Sequence, residues 1–100
     1  MLFNQSVEEL EEVLLEEELA DVGNVAQLVV YNDDFNTFEW VIQCFVEVLK
    51  HGFEQAEQLS LLIHFKGKAT VKTSTKTVLK PFKDALTERG LSAVIEETRD

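Results

Sequence analysis

The sequence predicts an α+β domain: a three-stranded antiparallel sheet with helices packed on one face, in the order β-α-α-β-α-β, behind an acidic N-terminal helical leader. Three observations point there. Short β-rich or alternating runs stand at residues 25–31, 68–74 and 91–97, and between them apolar residues recur every three or four positions. One hundred residues suffice for one core and not for two. Charge divides the chain, since residues 1–24 hold seven Glu plus Asp21 and no Lys or Arg, while the rest carries eleven acids and nine bases.

The leader, SVEELEEVLLEEEL, opens with a capping box in which Ser6 is the N-cap and Glu9 stands three residues on. Val7, Leu10, Val13 and Leu14 fall on one stripe, and glutamates fill the remainder. Like-charge repulsion weakens such a helix alone, and both a solubilising and a functional role are open to it. Asp21 to Asn24, with Gly23, reads as a stop and linker, dividing the chain into an extension (1–24) and a core domain (25–100).

Val25 to Tyr31 is too continuously apolar for a strand with one wet face, which predicts a central strand. Asn36 is placed to cap the next helix, with Glu39 following and Phe38, Val41, Ile42, Phe45, Val48 and Leu49 as its core stripe. His51-Gly52 stops that helix, with Gly suited to a left-handed position. A second helix runs from Phe53 to about Phe65 on Phe53, Ala56, Leu59, Leu62 and Ile63, and Gly67 ends it. KATVKTS alternates Ala69, Val71 and Thr73 against Lys68, Thr70, Lys72 and Ser74, as an exposed strand does. Thr75 caps a third helix to about Glu88, with Val78, Leu79, Phe82 and Leu86 inward; Pro81 predicts a kink or a late start. Arg89-Gly90 closes it, and LSAVIEE is the last strand.

Composition excludes several functions. A net charge of −10 disfavours nucleic acid, whose phosphates need a basic surface. No run approaches the roughly 20 apolar residues of a membrane span, and MLFNQSVEEL lacks the basic-then-apolar pattern of a signal peptide. Cys44 is the only cysteine, which rules out an internal disulfide and fits a reducing cytoplasm. Lys66, Lys68, Lys72, Lys76, Lys80 and Lys83 follow one another with no acid between them, a face able to meet an acidic protein.

Asn32, Asp33 and Asp34 separate the first strand from the first core helix. They read as turn residues and dipole-matched acids, or as a site that grips positive charge. A metal site with His64 lacks clustered ligand spacing, and adjacent carboxylates cannot easily flank a glycosidic bond. His64 alone reads as a core or capping histidine, His51 as a helix cap and Cys44 as buried packing. No G-x-S-x-G, P-loop, C-x-x-C or H-E-x-x-H occurs, so nothing supports catalysis.

Two blocks carry a resemblance. V-V-Y-N-D-D-F-N-T-F-E-W-V-I, followed by A-E-Q-L-S-L-L-I-H-F-K-G-K-A at 56–69, is similar to the ATP-dependent Clp protease adaptor family, ClpS. That family shows a strand ending in N-D-D, a helix with an E-[aromatic]-V core and an A-x-Q…V-H-x-x-G-K-A segment at matching spacing. The resemblance implies a non-catalytic adaptor without cofactor or metal. Such adaptors bind proteins whose first residue is Leu, Phe, Tyr or Trp (N-degrons) and deliver them to a ClpA- or ClpC-like AAA+ unfoldase. It implies that Asn32 and a neutral His64 accept hydrogen bonds from the peptide α-ammonium and that Asp34 supplies compensating charge. Asp33 would bind backbone N–H groups beyond the first residue. Phe38, Val41, Ile63 and Leu91 would line the apolar hole, with Ser60 and Asn36 at its edges. The same resemblance matches the leader to the family's N-terminal extension in position and length. Phe38 and Ser60 stand where members often carry Met, Asn36-Thr37 replaces Thr-Pro, and KTSTKTVLKPFKDAL (72–86) replaces an acidic docking segment. The rival reading is a docking or regulatory domain of the same fold that does not recognise N-degrons.

Overall fold

The computed structural model describes residues 24–97, so the expected leader helix lies outside the described residues. The elements are β1 (Val25–Tyr31), α1 (Phe38–Leu49), α2 (Phe53–Lys66), β2 (Lys68–Thr75), α3 (Lys76–Glu88) and β3 (Ser92–Glu97). The sheet order is β2-β1-β3 with both pairings antiparallel, which makes β1 the central strand, as its largely apolar run leads one to expect. Ala26, Leu28 and Val30 face the helices and join Ile42, Phe45, Leu49, Ala56, Ile63, Leu79, Leu86, Leu91 and Ala93 in one core. Among the described residues no helix is long and apolar enough to cross a membrane.

Local chemistry departs from the sequence expectations in five places. Thr37, not Asn36, caps α1, its Oγ1 accepting from Trp40 N at 3.1 Å; the Asn36 side chain is engaged elsewhere. The left-handed residue after α1 is Lys50 (φ 60°), while Gly52 is extended and caps α2. The buried stripe of α2 is Ala56, Ser60 and Ile63; Phe53, its first residue, is 61% exposed and Leu62 46%. Leu62 lies about 100° around the helix from Ile63, beyond the arc that meets the sheet. A bulge between the pairs Leu28–Lys72 and Val29–Thr70 leaves Val71 as an extra residue, which reverses the alternation of β2. Thr73 is therefore exposed rather than inward, and the Lys72 ammonium lies 4.9 Å from the Phe82 ring centroid. Finally, α3 starts at Lys76, with Pro81 in its second turn, so no late start occurs.

Candidate functional site

The site is built where four elements end. β1 runs into Asn32, whose backbone N–H donates to Gly67 O at 2.9 Å, so the end of β1 is tied to the end of α2. Gly67 can make that turn because it is left-handed (φ 92°), its own N–H closing back on Ile63 O. The loop that follows is organised by Asp33. Its Oδ1 accepts from Phe35 N at 2.9 Å and Asn36 N at 2.8 Å, and its Oδ2 accepts from Asn36 Nδ2 at 2.7 Å. Burial pushes the Asp33 carboxyl up, but the bonds from Asn36 and Phe35, with Ser92 close by, outweigh it and hold the pKa below the ordinary value. The turn holds Phe35 outward, 92% exposed.

Asn36 then crosses to the far side of the site, its Nδ2 also donating to Gly90 O at 2.9 Å. A second clasp runs parallel to it: Trp40 Nε1 donates to Arg89 O at 3.0 Å, and the Arg89 guanidinium lies 5.9 Å from the Trp40 ring centroid and pairs with Glu47. These contacts pin the α3–β3 turn against the start of α1. Leu91, buried next to that turn, is thereby set facing Ile63 and Val41 across a cleft.

That cleft is lined by Val30, Tyr31, Asn32, Asp33, Asn36, Val41, Ile63 and Leu91, and its cavity volume is about 20 Å³, room for a water-sized group. Six of the ten residues expected from sequence thus come together at one place. The other four sit around it. Asp34 and His64 are exposed, His64 in the last turn of α2 with its ring edge-on to Phe65 at 4.9 Å. Phe38 is half-buried against the core. Ser60 is 3% exposed and donates its hydroxyl to Ala56 O at 2.8 Å, so it is bonded to its own helix.

The last carbonyls of α2 carry the negative end of the helix dipole toward Asn32, next to Asp33 and Asp34, while Lys66 in the last turn of α2 and the Lys68 ammonium, 5.5 Å from the Tyr31 ring centroid, bring positive charge to the same end. Val30, Tyr31 and the turn carbonyls of Arg89 and Gly90 were missed from the sequence. The first two follow from their place just before Asn32, whereas the turn contacts join residues about fifty positions apart and leave no local signal. Among the described residues no group of three or more His, Cys, Asp and Glu is placed to hold a metal.

Comparison with known proteins gives one consistent result. Residues 24–94 match the family described as ATP-dependent Clp protease adaptor protein ClpS. The ClpS adapter protein of Neisseria meningitidis serogroup B is 31% identical over 72 residues, covering 66% of this chain and 72% of that protein. The ClpS adapter protein of Leptothrix cholodnii is 35% identical over 68 residues, covering 66% of this chain and 59% of that one. Among solved structures, Agrobacterium tumefaciens ClpS2 bound to L-phenylalaninamide superposes with a TM-score of 0.65 at 21% identity, over 75% of this chain and 98% of the other.

Proposed function

This chain belongs to the ATP-dependent Clp protease adaptor family, ClpS, an adaptor rather than an enzyme, and we propose that its cleft receives the N-terminal residue of a substrate polypeptide for delivery to a Clp-type AAA+ unfoldase. The observation that carries this reading is that Asn32, whose side chain makes no hydrogen bond to any described residue, lines one cleft together with the apolar Val41, Ile63 and Leu91. His64 follows Ile63 in the last turn of α2, exposed. An α-ammonium entering such a mouth exchanges water for the Asn32 Oδ1, a neutral His64 nitrogen, the Asp34 carboxylate and the negative end of α2. Its first side chain then presses into the apolar cleft.

Asp33 plays a different part. A carboxylate offers about four acceptor positions, and three are already filled within the loop. Its main work is to hold Asn32 and Asp34 in place. The ligand of the ClpS2 structure supports the reading in kind, since L-phenylalaninamide carries a free α-amino group and an aromatic side chain. A lone cysteine, Cys44, buried and unpaired, agrees with a reducing compartment.

The test is a pair of peptides beginning with Phe, one with a free α-amino group and one N-acetylated. Losing charge-assisted bonds worth about 1.5–3 kcal/mol lowers affinity about 10- to 100-fold for the acetylated peptide. Equal binding of the two would overturn N-terminal recognition and leave the docking-domain reading.

A further inference from the structure

We propose that the acidic N-terminal segment, residues 1–23, docks on a lysine stripe formed by α3 and the adjoining end of β2 of the same chain. Peptide capture leaves two features of the chain unused, the acidic segment and the lysine run. Lys76, Lys80 and Lys83 stand at i, i+4 and i+7 of α3, a stripe that flanks the buried Leu79 and Leu86 and leaves the three side chains 50%, 69% and 36% exposed. Lys72 reaches the same helix, its ammonium over the ring of Phe82. Lys76 pairs with Glu97, and Lys80 and Lys83 share the single carboxylate of Asp84. These pairs are exposed enough to exchange partners at little cost.

Topology brings the acidic segment to this stripe. β1 begins at Val25, whose partner across the sheet is Thr75, the N-cap of α3. The chain therefore enters the fold one residue from Lys76, and whatever precedes Asn24 starts beside the stripe. That segment carries eight acids and no base over residues 1–24. From Lys76 to Lys83 the stripe is about 10 Å long, and even a fully helical 23-residue segment is about 35 Å, so reach is not limiting. The first turn of α3 contains no acid of its own, so the positive end of its dipole favours carboxylates brought to it. An acidic protein that binds the stripe must first displace the leader, so the leader sets the affinity of that face.

The experiment compares amide shifts of the full chain with those of the full-length variant Glu8→Gln, Glu9→Gln, Glu11→Gln, Glu12→Gln at neutral pH and low salt. Shift changes confined to Lys72–Lys83, with Asn32–Asn36 unmoved, are expected. The wild-type chain should show the same changes in about 0.5 M salt, where screening acts within a few ångströms, and the variant should not. Carbodiimide coupling of the wild-type chain should link leader carboxylates to Lys72, Lys76, Lys80 or Lys83 within one molecule. An unmoved stripe overturns the proposal, as do links spread evenly to Lys50, Lys66 and Lys68. Shifts that vanish on tenfold dilution also overturn it, by assigning the stripe to a second copy's leader. So does binding of a polyglutamate peptide to the stripe with equal affinity in both chains.

Discussion

Asn36→Ala removes a side chain that ties the site loop to the α3–β3 turn. Its Nδ2 donates at 2.7 Å to a carboxylate oxygen of Asp33 and at 2.9 Å to the Gly90 carbonyl. A bond to a charged acceptor contributes about 1.5–3 kcal/mol and a neutral one about 0.5–1.5 kcal/mol where the groups are buried. Asn36 is only half-buried and Gly90 is exposed, so water recovers part of both, and about 1–2.5 kcal/mol is the expected loss. For a domain of this size that lowers Tm by about 5–15 °C, measurable by circular dichroism. Affinity for a free-amine peptide should fall in the same variant, because Asp33 keeps two of its three partners but the loop loses its anchor to the turn before Leu91. Asn36→Asp sharpens the test. It sets a second carboxylate against Asp33 and removes both donated bonds, so it must be at least as destabilising as alanine. A Tm within about 1 °C of wild type in both variants would refute the clasp.

Two further outcomes follow from the same geometry. His64→Ala should weaken a free-amine peptide by about 1 kcal/mol, some fivefold, without lowering Tm, since the ring is exposed and no hydrogen bond holds it; His64→Gln, which keeps an acceptor, should retain part of the affinity in fluorescence anisotropy, and an alanine variant that binds like wild type removes the ring from the site. His51 has its Nδ1 buried without a partner, and burial, then the nearby Lys72 ammonium, hold its pKa below the ordinary histidine value. The unfolded chain therefore binds the proton more readily. Stability is fully present above about pH 6.5 and falls as pH drops from there through the lowered native value; urea titrations should show this slope, and His51→Leu should flatten it.

The fold was legible wherever burial follows a simple period. β1 announces itself by a run that is apolar but for Gln27 and α1 by Ile42, Phe45 and Leu49 at three- and four-residue spacing; Ala26, Leu28, Val29 and Val30 of the strand and all three helix residues are buried. Legibility failed where one residue changes the rule. The bulge at Val71 reverses β2 and sends Thr73 outward, and no pattern in KATVKTS announces it. Asn36 and Thr37 are both good caps, and the sequence cannot show that Asn36 is drawn away by Asp33 and Gly90. Lys50 takes a left-handed conformation that a nearby Gly52 made improbable from sequence, because His51 N closes onto Phe45 O before the glycine is reached. For the site, the resemblance carried by the blocks at 29–42 and 56–69 pointed to six residues that line one cleft, five of them inside the blocks and Leu91 beyond both. It did not separate residues that would touch a ligand from residues that hold the loop, since that difference lies in hydrogen bonds rather than in residue type.

That separation determines where selection among first residues must reside on the proposed reading. Asp33 and Asn36 are committed to each other and to the turn, and Ser60 to its own helix. Recognition of the ammonium falls to Asn32, His64 and Asp34, all exposed, where two unit charges 4 Å apart interact by only about 1 kcal/mol in water. Charge at the mouth thus identifies an amino terminus but cannot rank one terminal residue against another. The apolar cleft must do that, and at about 20 Å³ it is too small for a Leu or Phe side chain as it stands. Two of its walls, Ile63 and Leu91, are each 4% exposed and locked in the core. The α1 wall is looser, since Val41 is half-buried and lies one turn from the half-buried Phe38. On the proposed reading widening therefore falls to α1, where the ring of Phe38, half-buried one turn from Val41 and stiffer than a Met side chain, would set which side chains the cleft admits.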